Sequence, residues 1–371
     1  MSDQLAPAHR HTRLLRWGVP AGVLVVALAV PASGRVLSAS AAPSLPPRTP
    51  AQLLADLQTA RVDGMSGTVV QHSDLGLPQL PGLGTSSAGS SSLTSLVSGT
   101  HTMRVWYSGP DRARLALLGT LGESDVVLNH RDLWIWSSDQ KTAQHHRLPA
   151  GTKDAQKRGK HPELPTTPQA AADRALAAIT PTTEVSTAAN ATVAGRSAYE
   201  LVIAPKDPRS LVHEVRVAID SATHVPLRFQ AFATGHSAPA FEVGFTQVSF
   251  QRPGDDQFRF TPPPGTKVTE ATTGTAHATT DKTSRGAQPA VVGTGWTAVV
   301  VGTAPAMPSA TGSPAGGPDV GRMLASLPRV HGTWGSGRLL TSSLFSVLLT
   351  DDGRVVAGAV SPELLYTAAA K

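Results

Sequence analysis

The chain contains no cysteine. That excludes a disulfide framework, a cysteine nucleophile, thiolate zinc sites, iron–sulfur clusters and a lipid anchor on cysteine. Charge is also scarce, 16% against the usual quarter, with Ala, Ser, Thr, Gly and Pro filling the gap. The net charge of +6 is modest and sits partly in Arg10, Arg13 and Arg16. No basic stripe with interleaved aromatics occurs, so no nucleic-acid partner is expected. Attraction to the anionic surface of the cytoplasmic membrane is the more economical reading. Only one long apolar run exists, which excludes a multi-span membrane protein.

Catalytic constellations are missing too. His213-Glu214 has no second His at HExxH spacing, and no GxSxG elbow or phosphate loop occurs. Ser138-Asp139-Gln140-Lys141 matches S-x-x-K, but it reads as a polar turn between strands and lacks its partner motifs. His145 and His146 point to opposite faces of a strand and cannot chelate together. Asp255-Asp256 and Asp351-Asp352 lie at glycine-containing turns, where Asp is favoured for backbone reasons. The expectation is therefore no enzyme, no metal and no cofactor.

What is present begins with an export leader. A basic stretch precedes the 13-residue apolar run Gly18 to Val30, the order of a signal sequence. Ala39-Ser40-Ala41 offers a cleavage site, and a looser run from Trp17 to Leu37 could span a membrane. A cleaved signal and an uncleaved anchor both place the remainder outside the cytoplasm. Residues 1–48 thus read as leader and Pro-rich tether.

Length and composition fit roughly two to three domains with a real core. Thr49-Pro50 opens a helix by N-cap and N1 preference, with Leu53, Leu54 and Leu57 on one face. A strand starts near Thr68, and residues 73–101 form a Ser/Gly/Leu-rich insertion. Short alternating strands then fill 102–148, which implies an antiparallel meander. Thr167-Pro168 repeats the helix-opening code, and a second meander runs to Phe260. A Thr/Ala/Gly-rich linker covers 271–290, followed by a small α+β module over 291–371. In that module Trp296 to Val301, Leu339 to Leu349 and Arg354 to Val360 read as strands. Asp351-Asp352-Gly353 reads as a hairpin turn, and Ser361-Pro362 as the start of a last helix.

The strands carry many of the aromatics, among them Trp106, Trp134, Trp136, Phe229, Phe241 and Phe245. Two readings fit: an ordinary sheet core under helices, or a curved sheet around an apolar cavity.

The order of elements over 49–270 resembles the LolA/LolB-like periplasmic lipoprotein-carrier superfamily, including the N-terminal domain of the envelope-stress regulators RseB/MucB. The resemblance rests on TPAQLLADLQTARVDGMSGTVV, the meander around DLWIWSSDQ, the turn ID…THVPLR and the ending FRFTPPPG. It implies an α+β fold: a half-open antiparallel β-barrel with plugging helices and a cavity for acyl chains. Trp134, Trp136, Phe229 and Phe245 are the implied lining, with Trp106 and Phe241 beside them and Leu53 and Leu57 on the plug. It also implies a non-catalytic carrier of lipid or lipoprotein acyl chains. The extra C-terminal module leaves open a membrane-tethered regulator that binds an anti-sigma factor or another envelope protein.

Overall fold

The computed structural model describes residues 44–78, 91–148, 181–271, 290–303 and 324–371. The leader, part of the Ser/Gly-rich insertion, the helix expected after Thr167 and most of the linker lie outside the described residues. Among the described residues no helix is long and apolar enough to cross a membrane.

Helix α1 (Pro50–Thr59) starts as its sequence dictates. Thr49 and Gln52 form a reciprocal capping box, and Pro50 sits at the first turn. The first meander follows as β1 (Met65–Ser73), β2 (Gly99–Tyr107), β3 (Arg112–Leu118), β4 (Glu123–Asn129), β5 (Asp132–Ser137) and β6 (Thr142–Arg147). Both ends of the expected insertion belong to strands, Ser73 to β1 and Gly99 to β2. A 3-10 turn, Leu93–Val97, lies between.

The second meander is β7 (Thr183–Thr187), β8 (Ala191–Val193), β9 (Arg196–Pro205), β10 (Val212–Asp220), β11 (Pro226–Ala233) and β12 (Pro239–Ser249). A short strand, β13 (Lys267–Ala271), returns to pair with β6 in parallel. The sheet is therefore mixed rather than purely antiparallel. It is curved and open, with order β13-β6-β5-β4-β3-β2-β1-β12-β11-β10-β9-β7 and β8 beside β9.

The turn after β10 shows what ID…THVPLR encodes. Asp220 accepts hydrogen bonds from the Ala222 and Thr223 N–H groups and the Thr223 hydroxyl, which closes the turn. Arg196 grips the same carboxylate with two N–H groups at 2.6 and 2.9 Å. Burial pushes the Asp220 carboxyl up, but these donors outweigh it and hold its pKa at about 2.

The smaller sheet has the order β14-β15-β19-β18-β17-β16. Its strands are β14 (Ala290–Val292), β15 (Val299–Thr303), β16 (Arg329–Gly332), β17 (Gly335–Thr341), β18 (Ser346–Thr350) and β19 (Arg354–Gly358), followed by α2 (Pro362–Ala369). Two expected strands are corrected. Leu339 to Leu349 breaks into β17 and β18 because Ser342 turns the chain, its hydroxyl bonded to the Leu344 and Phe345 N–H groups. Trp296 belongs to a 3-10 turn, and the strand begins at Val299. Leu348, Val356, Val360 and Leu365 form the core under α2.

The described residues between 44 and 371 form one compact unit. The small sheet docks on the large one through backbone bonds from Leu211 N–H to Ala359 O (2.9 Å) and from Ser343 N–H to Leu75 O (2.8 Å). The Trp296 indole N–H adds a bond to the Thr183 hydroxyl at 2.9 Å.

Strand β1 joins the two meanders, pairing with β2 on one side and β12 on the other. The β1–β12 register slips at Thr68/Val69, and Gly67 lies next to the slip. A Cβ there would run into the Gln247 carbonyl oxygen and come within 2.8 Å of the Phe245 ring. Gly67→Ala is expected to destabilise the protein by about 1–3 kcal/mol, measured by urea unfolding against a Ser66→Ala control near wild type.

Candidate functional site

Side chains alternate across a strand, and directly paired residues share a face. The registers therefore sort every strand residue onto one of two faces. One face carries α1 and the Leu93–Val97 turn and is called the helix face here; the other is the outer face.

On the helix face, α1 inserts Leu53 among Tyr199, Leu201 and Ile219, with Leu57, Val217 and Ile203 packed around them. At the other side the Leu93–Val97 turn lays Leu93 and Leu96 on Val69, Met103 and Leu117. Between these covers one cross-strand row runs His101, Gln71, Val243, Phe229, Val217, Leu201 over β2, β1, β12, β11, β10 and β9. Phe241 neighbours it, its ring 6.2 Å from that of Phe229 in a T-shaped contact. Phe245 pairs with Val69 and packs on the Val69, Met103 and Leu117 cluster, and beside the register slip it also reaches the separate cluster of Val193, Ala198, Ala218 and Leu227. Phe229 is 37% exposed, a large apolar side chain left open in the middle of an apolar row.

The outer face holds the three tryptophans. Its cross-strand row runs Ser66, Trp106, Arg114, Val127, Trp134, His145, Glu270 over β1 to β6 and β13. Trp106 lies between the guanidinium groups of Arg104 and Arg114, 5.4 and 5.2 Å from its ring centre. Trp134 stacks on His145 at 4.2 Å, and Phe260 packs against both Trp134 and Trp136. His145 in turn faces Glu270 at 2.7 Å and Asp132 at 3.0 Å. These contacts fasten the returning segment and β13 to the sheet.

The eight residues expected in one cavity thus divide. Phe229, Phe241, Phe245, Leu53 and Leu57 share the helix face. Trp106, Trp134 and Trp136 lie on the opposite side and are corrected out of that lining. The physical reason is parity: each is in register with a residue of the outer face. Sequence reasoning also passed over Gln71 and Val243, which lie in the helix-face row. Val243 is marked locally by its alternation with Phe241 and Phe245, whereas only the long-range register places Gln71 there. Among the described residues no group of three His, Asp or Glu side chains is placed to hold a metal ion.

No known family profile matches the sequence, and no curated protein matches it. Solved structures do. In fold the chain resembles MucB and LolA-superfamily proteins. Against the Pseudomonas aeruginosa MucA/MucB complex the identity is 16% and the TM-score 0.42, over 86% of this chain and 96% of that one. A crystal structure of MucB gives 15% and 0.38, over 85% of this chain and 95% of that one. A LolA superfamily protein from Nitrosomonas europaea gives 12% and 0.22, over 58% of this chain and 99% of that one.

One outer-face group is electrostatically unusual. Burial pushes the Asp125 carboxyl up to about 6, against the pull of Arg114 at 2.6 Å. Its Oδ1 and the indole N–H of Trp136, its cross-strand partner, are buried without hydrogen-bond partners. A carboxyl whose folded pKa is raised costs stability as pH rises from its unfolded value, near 4, to its folded one. Asp125→Asn should therefore match wild type in thermal stability near pH 3.5 and gain on it progressively up to about pH 6. Melting curves across that range check this, and a constant offset at all pH values would contradict it.

Proposed function

We propose that this protein is a non-catalytic, extracytoplasmic binder or carrier of acyl chains, which lie on the helix face of its open sheet. The observation that supports this best is Phe229, half-exposed at the centre of a row that is apolar from Val243 to Leu201 and ends under α1. A tail laid along Val243, Phe229 and Val217 would reach Leu57. Each buried methylene contributes roughly 0.8 kcal/mol, which ordering costs partly offset. No bond is made or broken in such a role, so no nucleophile, acid–base pair, metal or cofactor is needed. The leader and the basic N-terminus support a place at the outer surface of the cytoplasmic membrane.

The test is titration of the exported, delipidated full chain with a fluorescent acyl probe. Phe229→Arg should weaken binding at least tenfold, whereas Trp106→Ala on the outer face should leave it within twofold. Wild-type binding by Phe229→Arg would sink the reading.

One observation favours a second reading, a regulator that docks another envelope protein, as the MucB structure with MucA shows for MucB. On the small sheet, Val291 and Val300 are paired across β14 and β15 and are 62% and 45% exposed. Ala357 and Val347 continue that row across β19 and β18. Val300→Asp should abolish capture of a specific envelope protein by the full chain in cross-linking while leaving acyl-probe binding unchanged. Capture undiminished by Val300→Asp would remove this surface from consideration.

A further inference from the structure

Gln71 is the odd member of the helix-face row. It sits on β1 in register with His101 on β2 and Val243 on β12. It is 3% exposed, and neither its Oε1 nor its Nε2 has a hydrogen-bond partner. Buried amides are ordinarily satisfied, because an unpaired one has lost its water without replacement. The polar groups around it are already engaged. The Ser73 hydroxyl donates to Val97 O at 2.9 Å. His101 Nε2 is 2.8 Å from Ser98 O, and the Ser95 hydroxyl donates to Ser92 O. All three bonds belong to the Leu93–Val97 turn and its ends, which pack over β1 and β2. Gln71 therefore lies between Val69, covered by Leu93 and Leu96, and Ser73, tied to Val97.

We propose that Gln71 is the polar stop of the acyl site, donating its Nε2–H to the carbonyl of a neutral acyl linkage, an ester or an amide. This deepens the acyl-binding reading and rests on it. The row supplies the geometry. From Gln71 through Val243 and Phe229 to Val217 is three strand spacings, about 14 Å. A tail filling that length ends at α1, and its head ends at Gln71. The chemistry selects neutral linkages. Gln71 bears no charge, the row holds no Lys or Arg, and its one basic member, His101, is already engaged through Nε2 with Ser98 O, so a free carboxylate would be desolvated there without a free cationic partner. An ester or amide carbonyl needs one donor, and Nε2 is that donor. To reach it, the linkage displaces the Leu93–Val97 turn, which two side-chain bonds, from Ser73 and His101, hold in place.

The test uses the full chain, delipidated, and its Gln71→Leu variant, with three probes of equal chain length at pH 8. These are a monoacylglycerol, its alkyl-ether twin, which lacks the carbonyl, and the fatty-acid anion. Wild type should bind the monoacylglycerol roughly tenfold tighter than the ether, the worth of one hydrogen bond at a desolvated site, and tighter than the anion. Gln71→Leu should bring ester and ether within twofold, leave ether binding unchanged, and raise the melting temperature of the empty protein by removing an unpaired amide. Equal binding of ester and ether by wild type overturns the role of Gln71 while the acyl reading stands. So does a preference that survives Gln71→Leu, or a fall in melting temperature, which would show the amide satisfied within the protein. Binding of none of the three probes by wild type overturns the acyl reading itself, and the role of Gln71 with it.

Discussion

The fold depends on one long-range pairing. Strand β1 is hydrogen-bonded on both edges, to β2 nearby and to β12 at the far end of the second meander. Without the β12 contact there would be two separate meanders, each with a raw edge and half a core. The joint demands close approach at the register slip, which is why Gly67 stands where any Cβ would meet the Gln247 carbonyl. The helix-face row that crosses β2, β1, β12 and β11 exists only because this joint is made.

Local structure was legible in the sequence where capping or turn residues mark it, and missed at the Ser342 break and the Trp296 turn. Thr49-Pro50 capped α1, Asp351-Asp352-Gly353 turned β18 into β19, and the stretch from Asp220 to Thr223 closed on its own carboxylate. The curved, half-open sheet also followed from strand order and resemblance. What was not legible is which alternating residues share a face between strands. Alternation sets parity within a strand, but pairing carries it to the next, and slips at Thr68/Val69 and Ala218/Ile219 reset it. Phe229 and Trp134 alternate equally well, yet they ended on opposite faces. A polar residue such as Gln71 in an alternating strand reads as solvent-facing until its partners are known.

The two faces solve different problems. The outer face packs tryptophans against guanidinium groups, an imidazole and carboxylates, and its polar atoms are mostly paired across strands. It behaves as a fastening, holding the segment that carries Phe258 and Phe260 against β3 to β5. The helix face is mostly aliphatic and phenylalanine between its covers, with one unpaired amide. Among the described residues its covers are a ten-residue helix and a single turn, and the apolar row between them keeps an exposed centre.

The parallel pairing of β13 has a consequence for solubility. An open sheet has two free rims, and an uncovered rim recruits the strands of other molecules. Here one rim, β6, is sheathed by five residues that carry Lys267 and Glu270, with Glu270 latched to His145. At the opposite rim the Trp296 indole is bonded to Thr183 of β7. Both rims of the open sheet are thus five-residue strands, β13 with Lys267 and Glu270 and β7 with Glu184, and short charged edges discourage strand addition without closing the sheet.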